Sequence, residues 1–317
     1  MIGEEYRSLE GINQSRLKLI LKHPLLYINV KEDEEREFFT FGQFVEDMLL
    51  KDEEYLEKVY FITKTPTPTD SVLRVLKLLA EQSNELHLDA IDRDVVIQAC
   101  VVCEYGKAWK PETCYNKILE AGLDYYFEMK SSEGKVRLSQ EDYDMAVKLY
   151  NASLANPDIL GILKSKDTLF KVPITFEYRG RKCKGEIDIL RIDHEAKIAR
   201  VYDIKTSAQA LYFHSTILKY RYDFQVNFYT LGAQLAGLIP EDYDVLDPKF
   251  IVLDSKGFVP PTIWNAPPME DLVDDFEYNG RLYKGIDTAF DYLDFHEKND
   301  VWDYPVEYYE EGSIQWK

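Results

Sequence analysis

The chain has 317 residues, long enough to bury a large core, and at roughly 100–200 residues per domain it admits one elaborated domain or two. Hydrophobic residues make up 45% and aromatics 14%, which excludes a disordered chain, and no apolar run approaches the roughly 20 residues of a membrane span. A formal net charge of −19 excludes a uniformly basic nucleic-acid-binding surface, while leaving room for a local basic groove.

In chain order, the opening MIGEEYRSLEGINQS lacks the basic-then-apolar pattern of a signal peptide, so a soluble cytoplasmic protein is expected. NQSRLKLILKHPLLYINV predicts a helix capped by Asn13 or Ser15 and stopped near Pro24. TFGQFVEDMLLKDEEYLEKVYF predicts a second helix, with Thr40 as its cap. Phe41, Val45, Met48 and Leu49 make its apolar stripe, and Gly42 and Glu46 lie one turn apart on the adjoining face. Glu46 is then either one more solvated acid among 57 or an oxygen donor where glycine admits a close neighbour.

KTPTPTDSVL reads as a loop, and Ser71 to about Leu160 as helical. This stretch contains a C-x-x-C, Cys100 and Cys103, on the helical pattern DRDVVIQACVVCEYG. With no further ligand at finger-like spacing, these cysteines, like Cys114 and Cys183, read as small apolar side chains. TLFKVPITFEYRGRKCKGEIDILRIDHEAKIARVYDIKTS predicts three successive strands, with turns at Arg179-Gly180 and near His194-Glu195. STILKYRYDFQVNFYTLGAQLAGLI predicts one long helix and DPKFIVLDS a further strand. The expected plan is one α/β domain: a helical part over 1–165, a meander and helix core over 166–260, and an acidic, tyrosine-rich extension over 261–317.

Chemistry concentrates in VYDIKTS. In a strand, Val201, Asp203 and Lys205 share one face while Tyr202 and Ile204 share the other. A hairpin turn centred on His194-Glu195 sets 188 opposite 201 and 186 opposite 203, which makes Asp188 and Asp203 diagonal neighbours on one face. The group is either an ordinary ion pair on a solvated strand or a pair of carboxylates around a hard cation, Mg²⁺ or Mn²⁺, with an ammonium beside it. Basic residues cluster at Arg179, Arg181, Lys182 and Lys184, with Lys219 and Arg221 further on. Each cluster is either a solvated turn or helix face, or a phosphate contact.

Asp188, fourteen residues, then Asp203-Ile-Lys205 resembles the D…(D/E)-x-K signature of the PD-(D/E)XK nuclease superfamily. YDFQVNFY in the next helix matches the Q-x-x-x-Y motif of its RecB-like and RecE-like branch, and Gln225 and Tyr229 share a helical face. INQSRLKLILKHPLLY, FTFGQFVEDMLL and LSQEDYDMAVKLYNASLANPDI are similar in order to that group's opening helices, so the resemblance spans about residues 11 to 238.

The resemblance implies a restriction-endonuclease-like core, a mixed β-sheet flanked by helices, with a helical N-terminal elaboration. It implies a Mg²⁺- or Mn²⁺-dependent exodeoxyribonuclease acting in phage or mobile-element recombination or replication in a bacterial cell. An endonuclease or nickase, and a non-catalytic protein-binding module, are the alternatives. Asp188, Asp203 and the Ile204 carbonyl would be metal ligands, and Glu46 would join them where relatives carry histidine. Lys205 would be the catalytic lysine, and Gln225 and Tyr229 would support the site. Ser15 and Arg221 would face DNA. Glu186 stands where a basic residue is common, which weakens the expected DNA contact. Because no cysteine follows Lys205, no iron–sulfur cluster is expected. DNA is the implied partner, together with a single-strand annealing or recombination protein, and related exonucleases often form homo-oligomeric rings.

Overall fold

The computed structural model describes residues 9–29, 38–267 and 272–313, so residues 1–8, part of the opening segment read above, lie outside it. The chain folds into two compact units: Met1–Leu50 with Lys148–Lys317, and Lys51–Val147. No described helix is long and apolar enough to cross a membrane.

The elements, in chain order, are α1 (Gln14–Ile20), α2 (Pro24–Ile28), α3 (Phe38–Leu50), α4 (Glu53–Val59), β1 (Tyr60–Thr63), α5 (Asp70–Gln82), α6 (Arg93–Val102), α7 (Pro111–Ser131), β2 (Val136–Ser139), α8 (Gln140–Ala155) and α9 (Pro157–Leu163). There follow β3 (Thr168–Tyr178), β4 (Arg181–Asp193), β5 (Ile198–Ser207), α10 (Phe213–Tyr220), α11 (Tyr222–Leu235), β6 (Asp244–Val245), β7 (Lys249–Asp254), β8 (Thr262–Asn265), β9 (Phe276–Tyr278), β10 (Arg281–Tyr283), α12 (Ile286–Asn299) and α13 (Val306–Glu311).

In the unit Lys51–Val147, β1 and β2 pair in parallel, and the core gathers Val75, Leu76, Leu79, Ile118 and Tyr126. Cys100 and Cys114 are buried in that core, where burial pushes the Cys100 thiol up to about 11 and leaves it protonated. The other unit holds the large mixed sheet, in order β3-β4-β5-β7-β8, with β6 also paired to β5. Among the described strands of this sheet, the β5–β7 and β5–β6 pairs are parallel and the others antiparallel. This mixed sheet flanked by helices, with helices ahead of it, is the fold class expected from the sequence.

Local chemistry explains the boundaries. Asn13 caps α1, its side chain accepting from Arg16 N–H at 2.8 Å, and Pro24 starts α2 at a position where no N–H is needed. Arg179 and Gly180 both have positive φ, 51° and 73°, as a two-residue hairpin turn between twisted strands requires. One face of the sheet is covered by α11, α1 and α12, which bury Phe224, Phe228, Leu17 and Phe290 against Ile174, Ile187 and Val201. Each such side chain contributes about 1.5–3 kcal/mol by leaving water.

Four expectations need correction. Thr40 lies inside α3, not at its cap, and the second helix ends at Leu50, because Asp52 caps a separate α4 by accepting from Tyr55 N–H at 2.8 Å. The helical stretch from Ser71 to Leu160 is interrupted by β2. The hairpin turn occupies residues 194–197, so Leu190, not Asp188, faces Val201. That two-residue shift keeps the paired residues 189–193 and 198–202 on their expected faces. The long helix over 215–239 is two helices, because Arg221 sits in the left-handed region at φ 55°, ψ 47°. Its guanidinium holds the bend by bonding the Asp223 carboxylate and, at 2.6 Å, the Lys284 carbonyl.

Candidate active site

The β4–β5 ladder runs from Asp193↔Ile198 to Ile189↔Tyr202 and stops there. Continued by one step it would set Asp188 against Asp203. Instead the Asp188 Oδ2 accepts the Ile204 N–H at 3.0 Å, so a side chain replaces the next backbone partner. On the other side β3 is disturbed at the same level: Lys171 has φ 48°, and neither it nor Asp188 belongs to the β3–β4 pairs, which resume at Val172↔Ile187. The core-facing set of β4 changes parity there, from Cys183 and Ile187 to Leu190 and Ile192. This irregularity turns Asp188 and Lys171 toward one another inside the protein.

Asp203 is 1% exposed. Its Oδ1 accepts from Gln225 Nε2 at 3.1 Å, and its Oδ2 pairs with the Lys205 ammonium. Gln225 Nε2 lies 3.3 Å from the Tyr229 hydroxyl, one turn further along α11. The Lys205 ammonium also lies 4.9 Å from the Tyr222 ring centre. The bend at Arg221 sets this geometry, since it starts α11 where Tyr222 reaches Lys205 and Gln225 reaches Asp203.

The Asp188 Oδ1 accepts from the Lys171 ammonium at 3.1 Å. The same ammonium pairs with Glu46 of α3 and lies 3.9 Å from Glu186. Lys171 is 7% exposed, so a buried cation sits among three acids. Gly42, one turn before Glu46, is required for that approach: a Cβ there would lie 2.8 Å from the Thr206 Oγ1 of β5. Asp47, next to Glu46, is buried and accepts from Gln43 Nε2 at 3.2 Å.

Charge follows the geometry. Burial and then the Asp188 charge push the Asp203 carboxyl up to about 6, against the pull of Lys205. Burial also works to raise Asp188, but Lys171, Lys205 and the Ile204 N–H outweigh it and hold this carboxyl below its usual range. Burial opposes the Lys205 ammonium as well, yet Asp203 and Asp188 dominate and keep it charged. Lys18 of α1, whose ammonium lies 3.4 Å from the Arg221 carbonyl, is lowered to about 8 by burial and then by Lys205.

The sequence-derived residues thus divide. Asp188, Asp203, the Ile204 backbone, Lys205, Gln225, Tyr229 and Glu46 converge. The basic cluster over 179–184 does not act as one group. Arg179 and Arg181 are bound by Asp287, Asp291, Asp294 and Glu297 of α12, at 2.6–3.2 Å for the hydrogen bonds. Lys184 donates to the Leu9 carbonyl, and Lys182 is exposed. Arg221 is tied to Asp223, Ser15 is exposed beside Gln14, and Lys219 is exposed over the Tyr220 ring. Sequence reasoning missed Lys171, although a lone lysine inside the otherwise apolar stretch Leu169 to Ile174 was the available signal.

Among the described residues no three His, Cys, Asp or Glu side chains close on a common point for a metal ion. In this cluster Lys171 and Lys205 stand between the carboxylates. The donors are oxygen only, from buried or nearly buried acids, and that chemistry fits a hard divalent cation.

No family model matches the chain, and no curated protein matches it. Among solved structures it is similar to the crystal structure of an Eubacterium rectale protein named "Putative exonuclease", with 9% identity and a TM-score of 0.36, over 76% of this chain and 81% of that one.

Proposed function

We propose that this chain is a divalent-metal-dependent nuclease of the RecE-like PD-(D/E)XK type, an exodeoxyribonuclease acting in phage or mobile-element recombination or replication. One observation supports it above the others: two buried carboxylates on neighbouring strands, Asp188 and Asp203, converge with the Lys205 ammonium, and Gln225 of α11 fixes one of them. Surface ion pairs have no need of such burial.

Glu46, Asp188, Asp203 and the Ile204 carbonyl would hold Mg²⁺ or Mn²⁺, which when bound supplies an activated water and neutralises phosphate charge. The chain's own groups do the rest. Gln225 holds the Asp203 Oδ1, which leaves Oδ2 toward Lys205. Lys205, kept charged by Asp203 and Asp188, acts as a fixed positive charge beside the phosphate, rather than as a base. Lys171 serves as an internal counter-ion that keeps Glu46 and Asp188 close, the place a divalent cation would share.

The test is digestion of end-labelled linear duplex DNA and of covalently closed circles with Mg²⁺, followed by sizing of the products. Nucleotides released from linear DNA alone are the expected outcome. Cutting of closed circles would mean an endonuclease or nickase, and no cleavage at any Mg²⁺ or Mn²⁺ concentration would remove the nuclease reading.

A further inference from the structure

We propose that the groove between α10 and the β9–β10 hairpin binds the single-stranded portion of the DNA, an inference that rests on the nuclease reading. The groove has a volume of about 590 Å³, within the roughly 300–1,000 Å³ range of ligand sites. It is lined by His214, Lys219, Tyr278, Arg281 and Tyr283, among others, and among the described residues no lining residue is acidic, in a chain with 57 Asp and Glu.

Its cations are of a particular kind. Arg179, Arg181 and Arg221 are all occupied by carboxylates of the same chain. Among the described residues Lys219 and Arg281 form no salt bridge; both are exposed, and each lies over a tyrosine ring, Lys219 over Tyr220 at 5.2 Å and Arg281 over Tyr283 at 5.3 Å. Cations left without an acid in so acidic a protein are complementary to phosphate.

The groove is also joined to the reaction centre by rings. The Lys205 ammonium lies 4.9 Å from Tyr222, and Tyr222 stacks on Tyr220 with centroids 5.7 Å apart. Arg221 then lies 5.7 Å from the Tyr283 ring inside the groove. Tyr220 is 53% exposed and Tyr278 41%, so ring faces are open to a ligand. A duplex hides its base faces in its own stack, whereas unpaired bases can lie on tyrosines while their phosphates meet Lys219 and Arg281. The Asn279-Gly280 turn, with φ of 53° and 72°, holds the hairpin tight and fixes Tyr278 against Arg281.

The test is fluorescence anisotropy in EDTA, where no cleavage occurs, with labelled oligothymidine of about 20 nucleotides and a blunt duplex of about the same length. Wild-type protein should bind the single strand more tightly than the duplex. Lys219→Ala with Arg281→Ala should weaken single-strand binding about tenfold or more and lower the slope of log affinity against log salt by about 1.4, or about 0.7 for each phosphate no longer neutralised. Tyr278→Ala should weaken it about fivefold or more with no change in slope, as removal of a stacking ring requires. Lys166→Ala, at an exposed lysine elsewhere, should bind like wild type. Groove variants that bind oligothymidine as wild type does, or that lose duplex and single-strand binding equally, overturn the proposal. If the wild type still digests DNA with Mg²⁺ in that case, the nuclease reading stands. Single-strand binding through the groove without cleavage at any metal concentration would uphold the groove and remove the nuclease reading. Wild-type protein that neither binds nor cleaves DNA removes both.

Discussion

The β3–β4 hairpin carries two charge clusters, one at its turn and one midway along its strands. At the turn, Arg179 and Arg181 face four acids of α12, with arginine side chains 32% and 23% exposed. Midway, Lys171 faces Glu46, Glu186 and Asp188, and the neighbouring Asp203 carboxylate, paired with Lys205, is deeper still. Both clusters pair basic with acidic side chains, arginines at the turn and lysines midway, and burial separates their energetics. Exposed pairs are worth about 0–1 kcal/mol, while each buried ion costs several kcal/mol in lost hydration that its partners must offset. A chain that meets this cost in the middle of its sheet, next to a broken ladder, has placed its expensive charges where chemistry can use them.

The largest effect expected from this contrast is on catalysis. Lys205→Ala should lower DNA cleavage at least about a hundredfold, in line with removal of a fixed charge next to a reacting group, while Arg181→Ala should change it less than about twofold. Rates with linear duplex at saturating Mg²⁺, on variants with native circular dichroism, decide it. Equal losses at both positions would erase the distinction between the clusters.

A smaller effect isolates Lys171. If its ammonium holds the place that a cation would take beside Glu46 and Asp188, Lys171→Met should tighten Mg²⁺ or Mn²⁺ binding about tenfold, equivalent to about 1.4 kcal/mol. Glu46→Gln should weaken it by a similar factor. Calorimetric titration of the metal reads both without any need for activity. Weaker binding by Lys171→Met would make Lys171 a support of the metal site rather than its competitor.

Much of this centre was legible in the sequence, for reasons that differ by residue. Asp203 and Lys205 were found on one face because strand alternation is a local rule, whereas Gln225 and Tyr229 were singled out by the resemblance to the Q-x-x-x-Y motif, helical spacing only setting them on one face. The partnership of Asp188 with Ile204 N–H was not, since it depends on where the ladder stops. The break at Arg221 was hidden because the hydrophobic period runs through it, while the bonds to Asp223 and to the distant Lys284 carbonyl, which hold the left-handed residue, are not written in that period. Arg179 and Arg181 looked like phosphate contacts because their partners lie more than a hundred residues away on α12. Glu186 looked like an unanswered negative charge, and its answer is Lys171, across the hairpin.

The pH dependence of stability offers a further separation. Because its folded-state pKa is raised, Asp203 contributes stability that is complete below about pH 4 and is lost as pH rises through about 6, at a slope of at most about 1.4 kcal/mol per unit. Asp188, whose pKa is lowered, contributes with the opposite sign: its stability is present above about pH 4 and lost as pH falls. In metal-free buffer the stability of wild type relative to Asp203→Asn should therefore fall between pH 4 and 6. Urea midpoints across that range measure it, and a difference that stays level or grows with pH would place the Asp203 proton elsewhere.

The smallest effect belongs to the hairpin turn. Arg181 makes hydrogen bonds of 2.6, 2.7 and 3.0 Å to Asp294 and Glu297, and Arg179 bonds Asp291 at 2.6 Å, so the geometry is as good as in the buried cluster. Their acids, however, are 42–62% exposed, and water and salt can replace the arginines. Arg179→Ala and Arg181→Ala should each cost about 1 kcal/mol or less in urea denaturation at low salt, and less still in about 1 M salt, where the screening length is about 3 Å. A cost above about 3 kcal/mol that salt does not reduce would show that the turn behaves as a buried cluster, and that good hydrogen-bond geometry, not burial, sets the energetic difference between the two ends of this hairpin.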